Sequence, residues 1–397
     1  MEPRVAESIR EASTAVRSTP RSAATWGELG MVLLAHGFYD QSRSCFEVAE
    51  RYDRRDPRWP YLQTIVSGTA VPETAIPALR RAMARGDQLV PRLRLGEMLF
   101  EQGEIDEAER LFQWVLERNP RDARAELGMG RIAHARGRLP EAAEHLKRSI
   151  ELAPRIRSTH ALLTEVYHRL GDEAAAARSR QVMKDLPETR VWPDPFLEEV
   201  HNHEVGLFVL VRRATEYKKA EELRASEAVA RKAVRLHGDA PRALVALGTA
   251  LVLENQPDEA APYLARAVAL APDDPEARYF LGVAQAQQGK FTEAVSSLRK
   301  ATELQPGNAA SYFQLGQCLY KAGNTDDAIE AWRSTLKYDP EHVAATKDLG
   351  LLLVSQNRES EARPYLEKAR ALAPDDEAIT EALRRIGPPP SAATSPP

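Results

Sequence analysis

Two amphipathic segments alternate along most of the chain. From Pro275 to Gln288, and again from Phe291 to Leu304, apolar residues fall at i, i+3, i+4 and i+7. That spacing gathers them on one face of a helix. Gly289 lies between the two segments, where glycine takes a left-handed cap at least cost. Pro306 follows the second segment, where a helix cannot continue. The pattern predicts an antiparallel helix pair, and the pair recurs. Gly248, Gly282, Gly316 and Gly350 stand 34 residues apart, as do Ala260, Ala294, Ala328 and Ala362, and Pro272, Pro306, Pro340 and Pro374. Three residue types sharing one period mark a repeat architecture.

The first half keeps the same step less regularly. Gly96 and Gly130 are one period apart, and Thr164 stands one further on. Ala108, Ala142 and Ala176 follow the step, as do Pro120 and Pro154. Gly30 opens the series. The interval from Gly30 to Gly96 falls two residues short of two periods, which predicts a degenerate repeat around Tyr61 to Ala84. The interval from Thr164 to Gly248 exceeds two periods by 16 residues, room for one poorly matched repeat and an insertion. The insertion falls at 187–204, where Pro187, Pro193 and Pro195 exclude a continuous helix. It reads as an extended joint between two arrays. The other reading is a fold-back in which Trp192 and Phe196 plug a groove.

One helix pair cannot bury its own apolar stripe, so stacked neighbours must complete the core. The expected organisation is a capping helix or half repeat at 1–22 (Val5 to Val16), a first array at 23–186, the Pro-rich joint at 187–204 and a second array at 205–376. A capping helix at 377–387 and a disordered Pro-rich tail at 388–397 follow. Gly282 and Ala294 lie nearly equidistant from Gly289 and are expected to face each other, letting two backbones approach. A bulky residue at Gly282 or Gly316 is expected to cost about 1–3 kcal/mol.

In its fullest form the repeat reads Tyr312, Leu315, Gly316, Leu319, Ala328, Trp332 and Pro340. This resembles the tetratricopeptide repeat (TPR) family, over roughly residues 20–375. The resemblance implies an all-α solenoid, a right-handed superhelix of antiparallel helix pairs, with about nine repeats in two arrays. It also implies that the first helix of each pair lines a concave groove. On that phase the second array presents Tyr279, Phe280 and Val283, then Phe313, Gln314, Gln317 and Tyr320, then Lys347 with Asp348. Rings beside amides suit an extended peptide or a partner helix. In the first array the same phase gives a more charged secondary groove of Arg94, Glu97, Arg131, His134, Glu165 and His168. Co-chaperone members of the family grip a carboxylate with Lys and Asn. The matching places here hold Val245 and Thr249, Tyr279 and Val283, or Leu93 and Glu97, so that clamp is absent.

Composition narrows the reading further. Lys and Arg total 54 against 58 Asp and Glu, a net charge of −4. A dedicated nucleic-acid binder would carry a basic excess. The longest apolar runs are too short to span a bilayer. No signal peptide is visible, so the expected location is cytoplasmic, or periplasmic if a signal segment precedes Met1. Arg outnumbers Lys by 43 to 11, which suits a bacterial protein of high genomic GC; the chain resembles multi-repeat bacterial TPR proteins with a Pro-Asp-Pro joint.

Candidate chemistry is thin. Cys45 and Cys318 read as small buried hydrophobes and form no C-x-x-C pair. Gly128-Met-Gly130-Arg-Ile-Ala133 matches a dinucleotide fingerprint, but a helix precedes it where that fingerprint needs a strand. His134 and His168 are one period apart with Glu165 a turn away, yet zinc needs three or four converging ligands. His201 and His203 lie in the joint. Asp273-Asp274 and Asp375-Asp376 open helices, as caps do. No cofactor or metal is expected. The expected function is a non-catalytic scaffold holding a protein or peptide partner in the groove, self-association included. The alternative is an accessory subunit of an enzyme or cell-envelope assembly, acting through the convex face or the joint.

Overall fold

The computed structural model describes residues 1–65, 72–184, 186 and 192–387. Pro187 and Val191 of the joint and the tail at 388–397 lie outside the described residues. All regular structure among the described residues is helical, in 23 helices. The chain divides into two compact units, Met1–Glu222 and Leu223–Pro397. The division falls inside the stretch expected to form the second array.

The first unit opens with α1 (Pro3–Ser18), which buries Val5, Ala12 and Val16. Five helix pairs follow: α2 and α3 (Ala23–Ala35, Tyr39–Tyr52), α4 and α5 (Arg58–Ile65, Pro72–Met83), and α6 and α7 (Leu89–Glu101, Ile105–Arg118). Then come α8 and α9 (Ala123–Ala135, Leu139–Leu152) and α10 and α11 (Arg157–Leu170, Glu173–Lys184). The degenerate repeat expected near Tyr61 is the α4–α5 pair. Its core runs on Trp59, Tyr61, Leu62 and Leu79, each almost completely buried.

Two further helices complete this unit, α12 (Pro195–Asn202) and α13 (Leu207–Lys219). Here the structure departs from the extended joint. Pro193 and Pro195 do not keep the segment open. Pro195 occupies the first turn of α12, where a missing N–H costs nothing. The Asp194 carboxylate accepts from the Phe196 and Leu197 N–H groups at 3.0 and 3.2 Å and caps the helix. α12 lies against α2 and α4, and Phe196 and Val200 join the core formed by Met31, Leu34, Trp59 and Tyr61. Phe196 is buried there, whereas Trp192 lies beside an open cleft lined by Leu89, Val90 and Ile156.

The second unit begins with α14 (Leu223–His237). Four pairs follow: α15 and α16 (Pro241–Leu253, Pro257–Leu270), α17 and α18 (Pro275–Gln287, Phe291–Leu304), α19 and α20 (Ala309–Lys321, Thr325–Tyr338), and α21 and α22 (Val343–Ser355, Glu359–Leu372). Its last helix is α23 (Glu377–Arg385). Asp274 caps α17 and Asp376 caps α23, each accepting two backbone N–H bonds.

At Gly282 the backbone of the facing alanine is close, as expected, and a large side chain is closer still. A Cβ at Gly282 would lie 2.6 Å from Leu298 Cγ, while the nearest atom of Ala294 is its carbonyl oxygen at 3.3 Å. The space left by glycine is therefore filled by the large residue 16 positions later. Phe112 fills it at Gly96, Leu146 at Gly130, and Trp332 at Gly316. The small repeat alanines, Ala260, Ala294, Ala328 and Ala362, are fully buried beside them. Between paired helices the chain turns through a left-handed residue. Gly289 (φ +77°) and Gly323 (φ +84°) hold that place, as do Asn255 and Asn357 (each φ +58°); Glu221 (φ +58°) takes the same conformation between α13 and α14.

Candidate functional site

In the second unit, the first helices α17, α19 and α21 carry the expected groove residues. Tyr279 and Phe280 meet edge to face, with ring centroids 5.0 Å apart. Tyr279 also packs on the hydrophobic core below, and burial raises its phenol pKa. Val283 is half-buried one turn along the same helix. On α19, the Phe313 ring lies 4.5 Å from the imidazole of His342. Gln314 is half-buried beside it. Gln317 Nε2 donates to Asp348 Oδ2 at 2.5 Å. Burial drives the Asp348 carboxyl pKa upward, opposed by the Gln317 bond. Phe313 and Gln317 are one turn apart, so an aromatic contact and a desolvated carboxylate adjoin on one helix face.

Lys347 is committed elsewhere, and Tyr320 only in part. The Lys347 ammonium donates to Asp376 Oδ2 at 2.6 Å, tying α21 to the cap of α23. Tyr320 turns its ring to Trp332, 6.1 Å away, and stays 45% exposed. Sequence reading missed His342, which caps α21 by accepting from the Ala345 N–H at 3.2 Å. The signal was its place just ahead of an apolar helical run. The sequence shows Asp376 only as a cap, because its pairing with Lys347 reaches across 29 residues.

In the first unit the secondary groove residues form pairs. Glu97 takes a two-pronged bond from Arg124, both distances 2.6 Å. Arg131 covers the Phe100 ring at 4.5 Å. His134 Nε2 lies 3.1 Å from Glu165 and 3.0 Å from Arg169. His168 does not stack on His134; it pairs with Glu173 at 2.5 Å. Arg94 acts on Tyr61 through its charge. Among the described residues, no three His, Cys, Asp or Glu side chains converge as metal ligands would.

The remaining motifs resolve into packing. A Cβ at Gly128 would strike Phe112 at 2.6 Å and one at Gly130 would strike Leu146 at 2.8 Å. Both glycines of the dinucleotide-like motif are thus spent on helix contacts. Cys45 and Cys318 are buried, which raises both thiol pKa values to about 11. A thiol so shielded is a poor nucleophile. Among the described residues no helix is long and apolar enough to cross a membrane.

Stacked antiparallel pairs, a glycine facing a large side chain in most of them and first helices lined along one face define an α-solenoid built to present a surface. A family profile described as tetratricopeptide repeat matches residues 93–155, 246–309 and 313–377. The chain is a tetratricopeptide repeat protein. Proteins of this architecture are interaction scaffolds, and the chain is one in that general sense. Similar solved structures include YrrB, titled a TPR protein with an unusual peptide-binding site, at 23% identity over 48% of this chain and 97% of that one, TM-score 0.40. MamA from Desulfovibrio magneticus RS-1 is similar at 18% identity over 43% and 97%, TM-score 0.39. A MamA structure labelled AMB-1 is similar at 24% identity over 42% and 99%, TM-score 0.38. No curated protein matches the sequence.

Proposed function

We propose that the strip formed by Tyr279, Phe280, Val283, Phe313, Gln314, Gln317 and Tyr320 holds a peptide or a partner helix, and that the chain catalyses no reaction. The observation that carries this is the juxtaposition of the Phe313–His342 ring contact with the desolvated Asp348 carboxylate. Rings supply apolar area to a guest, and a half-buried carboxylate accepts a donor that a guest's backbone or basic side chain supplies. Perturbed groups on a concave face favour a functional role over a purely structural one.

The test is peptide selection on the full chain, followed by titration of the selected sequences. Phe313→Ala with Tyr320→Ala should weaken binding at least tenfold while circular dichroism stays helical. Unchanged affinity removes this strip from the account.

A second reading is an accessory subunit docking through the convex face. It is favoured by one feature, a cleft of about 330 Å³ between α18 and α20, beside the stacked Tyr312–Tyr338 pair. Phe196 gives no support to docking through the joint, because it is buried in its own unit. Loss of a co-purifying complex on Arg299→Glu and Glu330→Arg, with peptide binding intact, would favour the convex face.

A further inference from the structure

We propose that the groove face of the first unit is a recognition site for short acidic helices bearing an aromatic anchor, and that residues 192–206 occupy it as a ligand held in cis. Three observations carry this. The first is redundancy. Helices α1 to α11 already pack each on the next, and α12 lies on α2 and α4 in addition to that stack, as a bound segment would.

The second is the chemistry of the contact. Phe196 and Val200, one turn apart, enter the apolar face, with Phe196 4.8 Å from the Tyr61 ring. The Tyr61 hydroxyl donates to Asp194, the buried carboxylate that caps α12. Burial first, and then the Asp194 charge, raise the Tyr61 pKa, so the phenol remains a donor. Arg58 donates to Glu199 at 2.9 Å. His203 lies 3.4 Å from Glu28, and the Val205 N–H donates to His36 at 3.2 Å. Array residues thus address the capping carboxylate, the ring, an acidic side chain and the trailing backbone of one short helix. Helix-in-groove recognition uses the same anchors. Arg58, reaching Glu199, supplies the positive charge that sets the preference for an acidic guest.

The third is incomplete filling. Beside Trp192 and Pro195 an open cleft of about 420 Å³ remains, walled by Leu89, Val90, Leu93 and Ile156. The recognition face therefore extends past the segment that covers it. A partner helix of the same chemistry, with a larger apolar residue for that cleft, competes for the site.

The experiment uses full-length protein and a fluorescein-labelled synthetic peptide of residues 192–206. Asp194→Ala with Phe196→Ala removes the resident anchors. This variant should bind the peptide at least tenfold more tightly than the wild type, whose own segment competes. Adding Arg58→Ala should weaken that binding again. A variant with wild-type helicity that binds no peptide overturns the proposal, as does a wild type that binds equally well. If the variant fails to fold, hydrogen exchange on the wild type decides. Amides of α12 should exchange at least tenfold faster than buried amides of α2 and α4, because a cis ligand leaves while the array stays folded. Equal protection of α12, α2 and α4 overturns it.

Discussion

Glu221 holds a left-handed conformation that glycine holds at turns within the helix pairs. Its φ of +58° lies in the left-handed region, where a side chain costs roughly 1–2 kcal/mol. It also pairs with Arg155, but both side chains are largely exposed, and such pairs contribute about 0–1 kcal/mol. Relief of backbone strain should win over loss of the pair. Glu221→Gly is expected to raise the urea unfolding midpoint, with a gain of about 0.5–1 kcal/mol. A lowered midpoint would show that the ion pair dominates.

Asp348 makes the opposite kind of residue. Burial lifts its folded pKa above that of the unfolded chain. A carboxyl with a raised folded pKa binds its proton more tightly in the native state. Its contribution is present below the unfolded pKa and is lost as pH rises through the folded one. At neutral pH its ionised form therefore lowers stability. Asp348→Asn keeps an acceptor for Gln317 and removes the charge. The variant should melt higher than wild type at pH 7, with the advantage shrinking as pH falls into the carboxylate range. An advantage that grows at low pH would contradict this reading.

At the scale of elements, most pairs are locked by a glycine on the first helix and a large residue 16 positions later on the second. Gly282 receives Leu298 and Gly316 receives Trp332. Packed interiors tolerate little added volume. Gly316→Leu should destabilise the second unit by about 3 kcal/mol or more, read by thermal unfolding. Gly316→Leu combined with Trp332→Ala should recover part of that loss, because the double variant restores a large–small exchange. No recovery would mean that the glycine serves another contact. Charge pairs between successive second helices, such as Arg231–Glu259 at 2.7 Å and Arg333–Glu361 at 3.0 Å, add register more than stability.

Most of these elements were legible from periodicity. Gly, Ala and Pro at a fixed step located nearly every pair, because each of the three answers a local demand of the turn or of the crossing. The degenerate α4–α5 pair could be placed only by interval, since Leu62 and Trp59 stand where the motif has smaller or different residues. α13 and α14 flank Glu221 one period before Asn255, but Ala214, Ser226 and Gly238 replace the expected glycine, alanine and proline. The α12 segment was hardest to read. Its prolines signalled a break, yet its position depends on partners far away in sequence. Glu2 accepts from the Leu207 N–H at 2.5 Å and Arg58 reaches Glu199. No local pattern encodes such contacts. Candidate site residues were legible as a face, and their commitments were not. Lys347 holds a charged partner, Asp376, that only the fold brings near.

For the whole molecule, each unit turns a row of first helices into a surface, and the two surfaces differ. That of the first unit is covered in part by the chain's own residues 192–206. That of the second unit carries rings, amides and a desolvated carboxylate. The central claim is that this second surface is where a partner is held. Hydrogen exchange of the full chain, with and without a peptide selected on it, tests the claim most directly. Slowed exchange should fall on α17, α19 and α21, centred on Phe313 and Gln317, with α18, α20 and α22 unchanged. Protection confined to α18, α20 and α22 would place the partner on the opposite face and contradict the account.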